Sequence, residues 1–331
     1  MTLAVGEVRL QARGSLELIW GRLARPFDPA EVVEALLGVS LQDARGLVGV
    51  ALATSREAEE LLRGMNASIR GLVSSTTASE RCLGEVRGPV LWSETASARG
   101  SSHGAEDLFV CLTPTRAYDT PENRMVVAAL DLVWHAAREA RHDSFGGESR
   151  REEAYRRGEA ARRWLQYPTL RGVPPERPRP RTLQRVRKSK RRWVYEPALA
   201  LLEKAQVPLE PEELVSLADV PTLRRWWLLA EIVATLESVG RELPPFRVED
   251  GVLLSGPVLF RHPTCPRGVE RGFAGVMLGT LVADVALDDE REDATALIRI
   301  ESMAGGRPCM LVRDRRDVER VVEIAYELAR Q

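Results

Sequence analysis

Arg87-Gly-Pro-Val-Leu-Trp-Ser-Glu-Thr-Ala-Ser-Ala-Arg-Gly100 and Asp107-Leu-Phe-Val-Cys-Leu-Thr-Pro-Thr-Arg-Ala-Tyr-Asp-Thr-Pro-Glu-Asn-Arg124 are the stretch on which the reading of this chain turns. Two short apolar runs, 86–92 and 107–114, have the composition of strands, with the Ser/Gly-rich interval 98–106 as an exposed loop between them. A sharply capped helix follows. Thr120 can accept from the free N–H groups of a first turn, and Pro121 suits the first helical position. Asp119 and Glu122 favour the positive end of the helix dipole. Asn123 and Arg124 are not needed for capping, which leaves them to hold a neighbouring loop or a partner. The helix itself, 121–141, is apolar over a wide arc from Met125 to Trp134 and is expected to be buried.

Working outward, residues 1–80 read as a mixed module. Segments 8–12 and 16–23 are strand-like, 29–38 is a short helix begun by Asp28 and Pro29, and 47–54 is a buried-strand candidate. Thr54 with Glu57 forms a capping box for a helix whose Ala58, Leu61, Leu62, Met65, Ile69 and Leu72 share one face. The core region spans 81–170, in which Ser149 and Glu152 are a second capping box opening an Arg-rich helix to about 166. A basic linker and helical region covers 171–242, with an extended Pro-rich run, a basic helix over 182–193 and another helix from Pro197. Residues 211–240 are helical and end at Gly240. From 243 to 331 strand-like runs precede a closing helix, a smaller C-terminal α/β domain. The expected class is α+β.

Bulk composition narrows the function classes. The chain has 331 residues, 44% of them apolar and 29% charged, as in globular proteins. No apolar run approaches the roughly 18 residues of a membrane span, and no signal peptide is read at the N-terminus, so a cytoplasmic protein without a membrane role is expected. Cys82, Cys111, Cys265 and Cys309 are far apart and read as buried thiols. His103, His135, His142 and His262 have no metal-ligand spacing. Glycine-rich phosphate loops and nucleophile elbows are missing, which argues against an NTPase, an α/β-hydrolase or a dinucleotide enzyme.

The net charge of −1 hides an uneven distribution: residues 177–192 carry nine Arg or Lys and no acid. In this segment Leu183, Val186 and Trp193 can dock while Arg185, Arg187, Lys188, Lys190, Arg191 and Arg192 project toward phosphates. A solvated linker, or a basic surface for an acidic protein partner, fits the same residues.

The run RGPVLWSET, then LFVC and DTPENR before an apolar helix, resembles the McrC-type subunits of modification-dependent restriction systems and a related bacterial domain that shares the DTPENR core. Residues 221–240 are similar to the helix preceding the nuclease domain in those proteins. The resemblance implies a bacterial antiphage or DNA-restriction system, with DNA and a nucleotide-driven AAA+ subunit as partners. It also implies a C-terminal nuclease of the PD-(D/E)xK kind, which needs two carboxylates on Mg²⁺ and a lysine to orient water. Asp284 and Glu301 are the available carboxylates, but Met303 stands at the lysine position and no lysine follows Lys204. The expectation is therefore a non-catalytic or degenerate subunit without a cofactor. A Mg²⁺-dependent endonuclease with a lysine-free site and an interaction module without nucleic acid remain the alternatives.

Overall fold

The computed structural model describes residues 5–74, 78–113, 118–145, 147–267, 275–278, 281–286, 297–302, 311–312 and 315–328. In chain order the helices and first strands are α1 (Val5–Gly21), α2 (Pro29–Leu37), α3 (Leu41–Ala53), α4 (Arg56–Gly71), β1 (Ala78–Leu83), α5 (Trp92–Ser101), β2 (Leu108–Thr113) and α6 (Pro121–Glu139). They continue as α7 (Glu148–Leu165), α8 (Pro180–Lys188), α9 (Arg192–Lys204), α10 (Pro211–Leu217) and α11 (Val220–Ser238). The remainder is β3 (Arg247–Glu249), β4 (Val252–Ser255), β5 (Val258–Arg261), β6 (Gly275–Leu278), β7 (Leu281–Ala286), β8 (Leu297–Ser302), β9 (Leu311–Val312) and α12 (Arg315–Leu328). The class is α+β.

The chain forms two compact units, each assembled from separated segments. One comprises residues 1–51, 139–151 and 206–331, the other 52–138 and 152–205. In the first unit an antiparallel meander runs β3-β4-β5-β6-β7-β8-β9 in sequence order. Strands β4 and β5 close at Gly256-Pro257, where Gly256 takes φ +58°, a conformation that side chains with a Cβ disfavour. Helix α11 lies in the same apolar core, with Trp226, Leu228, Leu229, Ile232 and Val233 buried beside Phe246, Phe260 and Val276 of the sheet region. Trp226 is fully enclosed and donates Nε1 to the Leu36 carbonyl at 3.0 Å, so its one polar group is satisfied. Phe246, Leu253, Phe260, Val276, Val318 and Val322 of the C-terminal part thus share a core with α1 and α2.

The second unit contains α4, α6, the greater part of α7, α8, α9 and the β1–β2 hairpin with α5. Helices α4 and α9 approach closely at Gly71, where a Cβ would stand 2.6 Å from Val194 Cγ2. Ala58, Leu61 and Met65 of α4, Met125, Leu130 and Val133 of α6, and Val194, Tyr195 and Leu201 of α9 are buried.

Several local expectations are corrected. Segments 8–12 and 16–23 are not strands: residues 8–21 belong to one helix, α1, and Leu23 makes only an isolated bridge to Phe246. Val8, Ala12, Leu16, Ile19 and Leu23 are buried at helical spacing, whereas Leu10, which a strand would place with Val8 and Ala12, is 70% exposed. The run 47–54 belongs to α3 rather than a strand, because a continuous apolar run fits either kind of buried element. Ser55, not Thr54, caps α4, accepting from the Ala58 N–H at 3.1 Å. Residues 86–92 contribute only a bridge between Val90 and Cys111 before α5 begins, and the partner of β2 is β1. β1 hides in a polar run because Cys82 is buried while its neighbours Ser79, Glu80, Arg81 and Leu83 are exposed, so no apolar alternation announces it. Much of the expected 98–106 loop is the end of α5 and its turn. Ser149 lies inside α7, which starts at Glu148. The basic helix is α8, ended at Lys188, and Pro197 sits within α9 instead of opening a helix.

Gly46 of α3 packs where an added Cβ would overlap the backbone of His142 and Asp143. Gly46→Ala should lower stability by about 1–3 kcal/mol, because backbone on the far side cannot rotate away. Urea unfolding followed by circular dichroism measures this, and an unchanged midpoint would contradict the packing.

Candidate nucleic-acid interface

The DTPENR segment builds a frame in the second unit. Thr120 caps α6 as expected, its Oγ1 accepting from the Asn123 N–H at 3.3 Å. Asn123 is fully buried and saturated. Its Nδ2 donates to the carbonyls of Val73 and Tyr118, both at 2.8 Å, and its Oδ1 accepts from the Tyr195 hydroxyl at 3.0 Å. That hydroxyl in turn accepts from the Val73 N–H at 2.9 Å. One amide and one phenol therefore tie α6, α9 and the segment after α4 together. Burial pushes the Tyr195 hydroxyl above its usual range.

Arg124 is a clamp. Its Nε and Nη2 take the two Asp119 oxygens at 2.6 and 3.0 Å, and its Nη1 reaches Glu176 at 2.8 Å. The Glu176 N–H also donates to the Arg124 carbonyl at 3.3 Å, so the extended residues before α8 are pinned to α6. Hydrogen bonds from Arg124 hold the Asp119 and Glu176 carboxyls below their ordinary range, and those carboxylates hold the guanidinium above its own. Because both carboxyl values are depressed, the clamp is intact above the ordinary carboxylate range and is lost only as pH falls through the depressed values.

The six expected phosphate-binding cations divide by what surrounds them. Arg185 pairs with Glu122 at 3.3 Å, Arg187 with Glu203 at 3.9 Å, and Arg192 with Glu196. Arg191 directs Nη1 to the carbonyls of Gly71 and Leu72 at 3.3 and 3.5 Å, finishing the C-terminal end of α4. Lys188 and Lys190 are exposed and have no partner among the described residues. Of the residues expected to dock, Val186 is 1% exposed, but Trp193 stands 54% exposed, its ring edge resting near Gly71. Val194 and Tyr195 bury themselves in its place because the α4–α9 seam falls there.

The composition of segment 177–192 did not single out Arg177, Arg179, Arg181 and Thr182. They line a cavity of about 570 Å³ together with Pro121, Arg124, Glu176 and Arg185. Arg179 pairs with Glu176 at 3.0 Å, whereas Arg177 and Arg181 are without a partner among the described residues. Pro121 and Pro180, both at first helical positions, line the cavity together although they lie far apart in the chain, so nothing in the sequence announces this pocket.

At the C-terminal end, Asp284 and Glu301 are described by their backbone alone, and Met303 lies outside the described residues. In the β7–β8 register Asp284 stands opposite Arg299 and Glu301 opposite Val282. Among the described residues, no three His, Cys, Asp or Glu side chains are grouped to hold a metal ion. No single helix among them is long and apolar enough to cross a membrane. No family model, curated protein or solved structure matches the chain.

Asn123→Ala should cost roughly 2–4 kcal/mol, since it leaves two carbonyls and a buried phenol short of partners. Tyr195→Phe should cost less, about 1–2 kcal/mol, because only one hydroxyl is removed. Urea titrations of the two variants against the parent chain measure both, and an Asn123→Ala change within about 0.5 kcal/mol would contradict the saturated network.

Proposed function

We propose that this chain is a non-catalytic, DNA-binding subunit of a bacterial restriction or antiphage system, a cytoplasmic McrC-like protein that works with an AAA+ motor. The observation that carries DNA binding is the set of cations on and beside α8 that have no partner among the described residues: Arg177, Arg181, Lys188 and Lys190. Arg181, Arg185 and Lys188 follow one another at helical spacing along α8, so they present charge on one side. Phosphates attract such a face without reading sequence. The affiliation with a restriction system rests on the resemblance of 87–124 and 221–240. Any nucleotide hydrolysis falls to the partner, because the chain has no GxxxxGK loop.

Fluorescence anisotropy with duplex and single-stranded oligonucleotides over a salt series tests this reading. Replacing Arg177, Arg181, Lys188 and Lys190 by Gln should weaken binding by about tenfold or more. The same change should flatten the salt dependence by roughly 0.7–0.9 log units for each phosphate no longer neutralised. Equal binding by parent and variant would remove the proposal, and no binding by either would favour a protein-interaction module.

A metal-dependent endonuclease is the second reading, favoured by the β7–β8 register, in which Asp284 and Glu301 occupy adjacent strands two positions out of step. The chain's lack of any lysine after Lys204 weighs against it. Plasmid cleavage in Mg²⁺ or Mn²⁺ that disappears in Asp284→Ala would establish the nuclease in place of the first reading.

A further inference from the structure

The cavity between the starts of α6 and α8 has features that a run of surface charge lacks. Thr182 lines it, is only 4% exposed, and its hydroxyl has no hydrogen-bond partner among the described residues. The hydroxyl is not among the buried unpartnered side-chain atoms, so it is open to solvent and can offer a hydrogen bond to a ligand in the cavity. The backbone around it is equally unsatisfied. Arg179 supplies no side-chain cap to α8 and no acid stands in the first turn, although Ser, Thr, Asp or Asn is the usual occupant. Leu183 is the first residue of α8 whose N–H finds a carbonyl outside the helix, that of Arg179 at 3.0 Å; the N–H groups of Arg181 and Thr182 find none among the described residues.

The charges agree with these donors. Five arginines line the cavity, at 124, 177, 179, 181 and 185. Three carboxylates answer them: Asp119 and Glu176 on Arg124, Glu176 also on Arg179, and Glu122 on Arg185. Arg177 and Arg181 remain, two positive charges beside two N–H groups and a hydroxyl that have no partner among the described residues. Phosphate bound as a monoester carries close to two negative charges at neutral pH and three acceptor oxygens. A diester within a strand carries one charge and must have chain leaving on both sides, which suits an open groove better than a pocket.

We infer that this cavity binds a phosphate monoester through Thr182, the α8 N-terminal N–H groups, Arg177 and Arg181. A volume of about 570 Å³ leaves room for the attached nucleoside. The monoester is either the terminal phosphate of a DNA strand or that of a free nucleotide, and the first source rests on the DNA-binding reading above. The Arg124 clamp on Glu176 then has a purpose beyond stability: it fixes the segment from which Arg177 and α8 depart.

The test compares two ligand pairs with the full chain: a 5′-phosphorylated against a 5′-hydroxyl single-stranded oligonucleotide by anisotropy, and AMP against adenosine by calorimetry. The phosphorylated member of at least one pair should bind about tenfold tighter or better, the scale of charge-assisted bonds to a dianion. Thr182→Val, with the same shape and no hydroxyl, and the exposed Arg181→Gln should each erase most of that preference, while Lys188→Gln/Lys190→Gln lowers strand affinity without changing it. A preference in the strand pair assigns the pocket to DNA ends. Preference in the AMP pair with no DNA binding assigns it to a free nucleotide, sinking the DNA reading while the pocket stands. Equal affinities within both pairs, or a preference undiminished in both pocket variants, would overturn the inference.

Discussion

The second unit depends on a single buried amide. Asn123 is enclosed at the first turn of α6 and makes three side-chain hydrogen bonds to groups that are far apart in the chain. Buried polar groups of this kind stabilise little in net terms when satisfied, yet they discriminate strongly against every arrangement that leaves them unpaired. The consequence is positional. With α9 held through Tyr195 and the end of α4 held through Val73, the close α4–α9 approach at Gly71 follows, and with it the placement of Val194 inside and Trp193 outside.

Arg124 extends that constraint toward the surface. A guanidinium fork shared between Asp119 and Glu176 suits planar, bidentate recognition, for which a lysine would be a poor substitute. It fastens an otherwise extended proline-rich run, whose backbone has few partners of its own, to the start of a buried helix. The basic segment is therefore no uniform charge cloud. Some of its arginines are consumed in holding the frame, with Arg191 on the α4 carbonyls and Arg185 on Glu122, while the cations without a partner among the described residues stand near the start of α8 and at its end. Exposed pairs such as Arg192 with Glu196 add little to stability, so they leave the side chains available to a competing anion.

The DTPENR cap was legible because it is local chemistry: a hydroxyl, a proline at the first position and an acid in the first turn say where a helix begins whatever surrounds it. The same holds for Asp28 and Pro29 at α2 and for the αL residue Gly240 after α11. The errors cluster where tertiary context decides. Segment 8–23 contains β-branched and aromatic residues at short range, and only its burial every three to four residues reveals a helix. Strand β1 is half polar and pairs far along the chain, so nothing within it announces a hairpin. The pocket was invisible for a similar reason, since Pro121 and Thr182, which both line it, lie about sixty positions apart in the chain. The charge run itself was plain in the sequence; which of its members are free was not, because their partners Glu122, Glu203 and the α4 carbonyls lie elsewhere in the chain.

A nucleic-acid face built on a rigid frame makes a local claim, and amide hydrogen exchange locates protection along the chain. The most direct measurement is exchange on the intact protein with and without a saturating oligonucleotide. The account predicts slowing concentrated in residues 177–192 and the α6 start, with the seven-stranded sheet unchanged. Protection confined to the sheet and α12, or no protection anywhere at saturating ligand, would contradict it.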